Sequence, residues 1–257
     1  MQNSAMTSHT RLAITRIIID ALMASWEKRK RLTQAVALPS LALIVIATYW
    51  SYADRKVDTL EAMVWVALWT MAFSPFALAC HRVLLLGNDS LPQYGIMRLT
   101  KREVKFFAWL SAIGLIGFLA KAISIMTIGS VLVNTIEIRN DWLVRLLKGA
   151  DVLAAYLVAR VSLILPSIAL DEHLSLSHVW HLSQGNGFRL TIILVGLPWF
   201  LAYYGQFMFP QEMDLVRVTL CSILYCVALL LEVAVLSFSY KALSSLTLSP
   251  ISRDDGV

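Results

Sequence analysis

Ionisable residues inside long apolar runs are the strongest sign of chemistry in this chain. Arg160 and Glu232 lie roughly 12 to 15 Å from one end of the runs that contain them, at about 1.5 Å per helical residue, and Lys121 and Asp151 lie nearer the opposite end. A lipid-exposed Arg or Lys at the centre of a spanning helix costs about 2.5 to 3.5 kcal/mol, so these side chains should point inward. We therefore expect two ion pairs, one between Arg160 and Glu232 and one between Lys121 and Asp151.

The pair of Arg160 and Glu232 has two interpretations. In the first, the pair is structural and determines which helices meet. In the second, the two side chains line a polar cavity for an anionic substrate or a proton relay, as intramembrane ionisable groups often do. The structural interpretation is favoured, because a relay usually needs more titrating groups than this core supplies.

Three histidines form a second candidate site. His173, His178 and His181 follow Asp171 and Glu172 in the link after the fourth apolar run. His178 and His181 are three residues apart, so on a helix they would share a side and could bind one metal ion. No HExxH or carboxylate-spaced motif accompanies them. We therefore expect no metal and no other cofactor, and metal binding by these histidines stays the weaker alternative.

Motifs of known enzyme classes are absent from the sequence. There is no GxSxG elbow, P-loop, dinucleotide-binding fingerprint or paired-carboxylate motif in a link. We therefore expect a protein without enzymatic activity. An intramembrane lipid enzyme that uses the histidine link remains the open alternative.

Long apolar runs must position these residues. Of 257 residues, 58% are apolar and 15% are charged, against about 45 to 50% and 25% in soluble domains. Each of six runs is near or above the roughly 20 residues that cross a bilayer, which predicts an all-α, polytopic membrane protein with a single domain over residues 1–257. The six predicted spans are 36–53, 60–85, 106–132, 149–170, 190–209 and 216–240.

The distribution of basic residues predicts the orientation. Lys28, Arg29, Lys30 and Arg31 precede the first span, and Lys101, Arg102 and Lys105 precede the third. Positively charged links tend to stay in the cytoplasm, so both termini should be cytoplasmic and the protein should cross a bacterial inner membrane several times. These seven residues are also expected to contact anionic lipid headgroups, at about 1 kcal/mol each. Nucleic acid binding is not expected, because no aromatic residues are interleaved with the basic ones.

Three amphipathic segments on the predicted cytoplasmic side are expected to form interfacial helices. They cover residues 10–27, within a basic arm over residues 1–35, and then residues 98–107 and 175–184. In the third segment, Ser175 suits an N-cap, and Gly185 with Asn186 suits a C-terminal stop, which predicts a helix of about ten residues. Trp180 on this helix should lie at headgroup depth.

The fourth span and the link after it carry a resemblance to a known family. The residues are Ala159, Arg160, Ser162, Leu165, Pro166 and Ala169, followed by Ser175, Trp180, Leu182, Gly185, Asn186, Arg189 and Leu190. This pattern resembles uncharacterised bacterial inner-membrane proteins related to the membrane domain of some glycerophosphodiester phosphodiesterases. The resemblance implies six helices and a membrane location. The phosphodiesterase catalytic domain is absent, and the resemblance implies no activity.

Two functions from different classes are consistent with the sequence. The first is a non-enzymatic membrane protein that organises lipid or protein partners through its cytoplasmic interfacial helices. The second is a small transporter or permease that uses Arg160 and Glu232, alone or as a homo-oligomer. We favour the first, because the amphipathic links are more distinctive than the core is polar.

Overall fold

The described part of the protein is helical. The computed structural model describes residues 12–52, 59–87, 100–134, 141–172, 174–196 and 214–248, and no strand occurs within these ranges. The helices are α1 (Ile14–Glu27), α2 (Arg29–Tyr52), α3 (Thr59–Leu86), α4 (Lys101–Asn134), α5 (Asp141–Val161), α6 (Ile164–Ala169), α7 (Leu176–Leu182), α8 (Gly187–Thr191) and α9 (Leu215–Leu248). A π-helical turn, Ile192–Gly196, continues α8.

Five helical stretches are long and apolar enough to cross a membrane. They are Arg29–Trp50, Leu60–Leu86, Lys101–Ala120, Asp151–Ala169 and Leu215–Ser245. These stretches overlap five of the six predicted spans, with different bounds. Of the predicted span 190–209, the structure describes residues 190–196, which belong to a shorter apolar helical stretch, Gly187–Gly196. The remainder of that span lies outside the described residues.

The fourth span is interrupted, which the apolar pattern alone did not predict. Helix α5 ends at Val161, a turn follows at residues 162–163, and α6 begins at Ile164. Pro166 is the third residue of α6. Backbone N–H groups in the first turn of a helix have no intrahelical partner, so a proline here costs no helical hydrogen bond. The interruption puts Arg160 in the last turn of α5, where the partial negative charge of the helix end favours a cation.

Besides a hydrogen bond of 3.1 Å from the Thr48 hydroxyl of α2 to Ser222 Oγ of α9, most polar contacts between helices lie at one end of the bundle. Helix α1, the start of α2, the end of α3, the start of α4 and the link at residues 170–189 meet there through hydrogen bonds. We call this region the basic end. The most completely buried side chains also lie towards it, on the second half of α3, on α6 and on the second half of α9.

Away from the basic end, the long helices expose large apolar side chains. Examples are Val66 on α3, Phe118 on α4 and Val227 on α9. Apolar surface of this extent is rare on soluble monomers and suits contact with lipid. At the opposite end, Trp65 of α3 packs against Tyr49 and Trp50 of α2, with ring centroids 5.0 and 5.8 Å apart. Such aromatic groups are typical of a membrane interface.

Candidate functional site

The link between α6 and α8 forms a short helix, α7, with the ends predicted from its sequence. The Ser175 hydroxyl accepts a hydrogen bond from the His178 backbone N–H at 3.2 Å, as an N-cap does. Gly185 adopts a left-handed conformation with φ of 77° in the turn that follows the helix. The predicted cap and stop are confirmed, although the helix has seven residues rather than about ten.

Arg160 connects α5 to this link. Its Nε donates to Ser183 Oγ at 2.7 Å, Nη1 donates to the Tyr156 hydroxyl at 3.1 Å, and Nη2 donates to the Trp180 carbonyl oxygen at 2.5 Å. The guanidinium carbon lies 3.6 Å from the centroid of the Trp180 ring, a cation–π contact. Arg160 is 6% exposed. All three nitrogens of the guanidinium therefore bind neutral groups of the protein.

The expected pair between Arg160 and Glu232 is not formed among the described residues. The physical reason is the end of α5, which brings Arg160 to the link instead of leaving it facing the middle of α9. Glu232 is half-buried in α9 and has no ion pair with another described side chain. For the second expected pair, Asp151 is exposed, and the side chain of Lys121 lies outside the described residues.

A glycine allows α8 to approach α5 closely. A Cβ atom at Gly187 would lie 2.6 Å from Cε2 of Tyr156 and 2.8 Å from its hydroxyl oxygen. Such distances are too short for any side chain, so only glycine fits while Tyr156 keeps its position. Because Tyr156 also binds Arg160, Gly187 supports the arrangement of the whole link.

The same link binds the start of α1. Asn186 Oδ1 accepts a hydrogen bond from the Leu12 backbone N–H at 2.9 Å, and Arg189 Nη1 donates to the Leu12 carbonyl oxygen at 2.6 Å. Both backbone polar groups of Leu12 are therefore satisfied by residues more than 170 positions away. Asn186 and Arg189, which the sequence singled out by resemblance, fix the N-terminal helix to the bundle.

Asp171 joins three elements in an unusual backbone conformation. It follows α6 with φ of 62°, the only positive φ among the described residues that are not glycine. The Glu172 N–H donates to the Ser167 carbonyl, and the Asp171 N–H donates to the Ile168 carbonyl. This is the Schellman motif, in which the position of Asp171 is usually occupied by glycine. The Asp171 carboxylate accepts from Arg82 of α3 at 3.2 Å and from Arg102 of α4 at 3.1 Å.

Two further contacts join the basic end to α9. The Tyr240 hydroxyl donates to Glu172. His81 of α3 is fully buried, and its Nδ1 lies 2.7 Å from Ser237 Oγ, whose only proton is donated to the Val233 carbonyl. The His81 Nδ1 must therefore be the donor, which leaves its Nε2 an acceptor without a partner among the described residues.

The basic residues predicted to meet lipid headgroups separate into two groups. Lys28 donates to the carbonyl oxygens of Val83 and Leu84, at 3.0 and 2.9 Å, at the end of α3. Burial, and then the charge of Lys241, lowers the pKa of Lys28. Arg102 binds Glu103 and Asp171. These two cations serve contacts within the protein, whereas the other five are exposed: Arg29, Lys30, Arg31, Lys101 and Lys105.

The histidine cluster is only partly described. His178 and His181 are both exposed on α7, and His173 lies outside the described residues. Within the described ranges, no three or more His, Cys, Asp or Glu side chains converge as metal ligands would.

Helix α1 has an exposed apolar face on the side opposite its contact with the protein. Ile17, Ala21 and Ser25 are buried, and α1 packs mainly against α9. The opposite face exposes large apolar side chains, namely Ile19, Leu22, Met23 and Trp26. A strip of charge lies between the two faces and includes an Arg16–Asp20 ion pair of 3.8 Å. On α7, Leu176 and Trp180 are likewise exposed, one helical turn apart.

No protein-family model, curated protein or solved structure matches this chain. The relation to the membrane domain of glycerophosphodiester phosphodiesterases therefore stays a prediction from the residues that suggested it. Sequence reasoning missed Asp171 as a junction and Leu12 as the attachment point of α1. A signal for the first existed, since a residue with a short polar side chain directly after an apolar helix often adopts a left-handed conformation. Nothing local marks Leu12.

Proposed function

We propose that the protein is a non-enzymatic bacterial inner-membrane protein that organises lipid or protein partners at its basic end. The observation that carries the proposal is the exposed apolar face of α1, which no described part of the protein covers while its opposite face packs on α9. A helix with one apolar face and a charged strip is suited to the boundary between headgroups and acyl chains. By the positive-inside rule, this boundary is the cytoplasmic one.

The fixed position of α1 supports a binding role rather than a loose arm. Asn186 and Arg189 bind the backbone N–H and carbonyl oxygen of Leu12, and Lys28 joins the other end of α1 to α3. A surface that is already ordered loses little conformational freedom when a partner binds. The partner therefore meets a preformed surface made of α1 and the link at residues 170–189.

Transport through a core of Arg160 and Glu232 is the alternative, and the contacts of Arg160 argue against it. An arginine that bound a passing anion would need accessible N–H groups, but Arg160 is 6% exposed and three of its five N–H groups already donate to Ser183, Tyr156 and Trp180. The alternative makes a distinct prediction: a folded variant with a neutral residue at Arg160 would lose solute uptake in proteoliposomes.

Native mass spectrometry of the protein extracted together with its own lipids tests the proposal. We expect a stoichiometric lipid or protein companion that is retained through purification. The companion should be lost when the exposed face of α1 becomes polar, as in the variant Leu22→Ser/Met23→Ser. The control Arg16→Ser/Asp20→Ser changes the charged strip of the same helix and should keep the companion. A bare protein in wild-type preparations would contradict the proposal, and solute uptake that depends on Arg160 would favour the alternative.

A further inference from the structure

A shallow, largely open cleft of about 370 Å³ lies at the elbow between α1 and α2, and its described lining residues are Arg29, Lys30, Thr33 and Gln34. These residues share one face of the first turns of α2, and all four are exposed. The opposite face of the same turns carries Leu32, Ala35 and Val36, which are buried against the bundle. The cleft therefore faces away from the protein core.

The cleft lies at the depth of lipid headgroups. The first apolar run begins at Val36, so the lining residues lie within roughly 10 Å of the hydrocarbon boundary at about 1.5 Å per residue. Trp26, on the turn before the cleft, is 70% exposed. An exposed indole beside a basic helix start is the arrangement found where a protein meets the headgroup layer.

The position of the Arg29 guanidinium is already determined. Its Nη1 donates to the Trp26 carbonyl oxygen at 2.9 Å, and its central carbon lies 4.7 Å from the centroid of the Trp26 ring. This contact uses one of the five N–H groups of the arginine. The other four N–H groups and the neighbouring Lys30 ammonium can donate hydrogen bonds to an anion.

The donors and acceptors of the cleft indicate the class of ligand. Arg29 and Lys30 supply two cations, and none of the described lining residues is acidic, which favours a phosphodiester and disfavours the ammonium group of a zwitterionic lipid. The Thr33 hydroxyl donates to the Arg29 carbonyl oxygen at 2.8 Å, so only its lone pairs remain. The Thr33 hydroxyl oxygen and the Gln34 amide oxygen can both accept hydrogen bonds, which suits a ligand that carries hydroxyl groups.

We propose that this cleft binds the headgroup of an anionic phospholipid whose phosphodiester carries a glycerol-like, hydroxylated group. The proposal rests on the proposed function and deepens it, since it names the lipid class and the site. Arg29 and Lys30 bind the phosphate, and Thr33 and Gln34 accept hydrogen bonds from the headgroup hydroxyls. Lys28 takes no part, because its ammonium binds the carbonyl oxygens of Val83 and Leu84.

Lipid retention by the full-length protein tests this inference. The protein is reconstituted in nanodiscs of phosphatidylethanolamine and phosphatidylglycerol, and the lipids that stay bound after release are counted by native mass spectrometry. We expect the wild type to retain phosphatidylglycerol selectively. The Arg29→Gln/Lys30→Gln variant should bind it on the order of tenfold or more weakly, because two cations near the surface are removed.

The matched control is Lys101→Gln/Lys105→Gln, which removes the same charge from exposed positions at the start of α4. It should weaken phosphatidylglycerol retention clearly less than Arg29→Gln/Lys30→Gln does, because it loses only the diffuse attraction of exposed cations to anionic headgroups. A second variant, Thr33→Val, keeps both cations and should reduce the preference for phosphatidylglycerol over phosphatidic acid, which lacks the headgroup hydroxyls. Thermal unfolding of each variant verifies that it is folded.

Two results would overturn the inference while the proposed function stands. One is an equal loss of lipid in the two charge-reduced variants, which would mean diffuse attraction rather than a site. The other is retention of phosphatidylethanolamine as strongly as phosphatidylglycerol by the wild type. If wild-type protein extracted with its own lipids carries neither a lipid nor a protein companion, the proposed function fails as well.

Discussion

Arg160 shows how a buried cation can be stabilised without a carboxylate. It lies at the end of α5 and its charge is shared among a hydroxyl, a phenol, a backbone carbonyl and an indole face. Hydrogen bonds that involve a charged group contribute roughly 1.5 to 3 kcal/mol each, more than neutral ones. The planar fork of a guanidinium can make these bonds at once, which a lysine ammonium cannot do with the same geometry.

Arg160→Lys should therefore lower the free energy of unfolding by roughly 2 to 4 kcal/mol, although the charge is kept. Thermal or denaturant unfolding in detergent measures this change. Arg217→Lys, at an exposed position at the start of α9, is the control and should change stability by less than about 0.5 kcal/mol. Equal stability of Arg160→Lys and the wild type would mean that the observed contacts contribute little.

Asp171 combines backbone strain with a charged junction, and two substitutions separate these effects. Both Asp171→Gly and Asp171→Ala lose the contacts to Arg82 and Arg102, which contribute only about 1 kcal/mol or less because the carboxylate is 57% exposed. The glycine accepts the left-handed conformation, whereas the alanine is strained by about 1 to 2 kcal/mol. We expect Asp171→Ala to unfold at a lower temperature than Asp171→Gly. The reverse order would refute the left-handed conformation of this residue.

Among the elements, the close approach of α8 and α5 depends on Gly187. Gly187→Ala should displace Tyr156 and lower the free energy of unfolding by roughly 1 to 3 kcal/mol, as overpacking does. Gly149→Ala is the matched control, because it is also helical and no atom lies within 4 Å of its added Cβ. That control should raise stability by up to about 1 kcal/mol, since alanine favours helix. If both variants shift the free energy of unfolding in the same direction, the close approach of Gly187 to Tyr156 does not limit the size of the residue at position 187.

The attachment of α1 makes a prediction about its dynamics. Asn186→Ala removes the acceptor of the Leu12 N–H, so amide hydrogen exchange in residues 12–20 should become up to about tenfold faster, the effect of losing one hydrogen bond. Hydrogen-exchange mass spectrometry of peptides that cover these residues measures the change. Gln184→Ala, at an exposed position in the neighbouring turn, should leave the exchange unchanged. An equal response of the two variants would mean that α1 is retained by its packing on α9 alone.

Sequence patterns predicted the positions of the helices better than the contacts between side chains of different helices. Hydropathy predicted five helices that the structure contains, and the cap at Ser175 and the stop at Gly185 were recognisable because both depend on local chemistry. The partner of Arg160 was not recognisable, because it depends on the end of α5 at Val161 rather than on the depth of the residue in an apolar run. The roles of Lys28 and Leu12 depend on contacts with residues far away in the sequence.

At the scale of the whole molecule, the two ends of the helical bundle differ. One end carries an aromatic group formed by Tyr49, Trp50 and Trp65, and the other carries ion pairs, buried cations and two helices with exposed apolar faces. This asymmetry is what the proposed function requires, since partners would be bound at the basic end only. It also fits the predicted orientation, with the basic end in the cytoplasm.

Photo-crosslinking in intact membranes shows what the exposed apolar face of α1 contacts. A benzophenone amino acid at Met23, on the exposed face of α1, should form an adduct with phospholipid or with one defined protein, identified by mass spectrometry. The same probe at Arg16, on the charged strip of that helix, should give no such adduct. Identical results at the two positions, or no adduct at Met23, would mean that the exposed face of α1 faces water and would contradict the account.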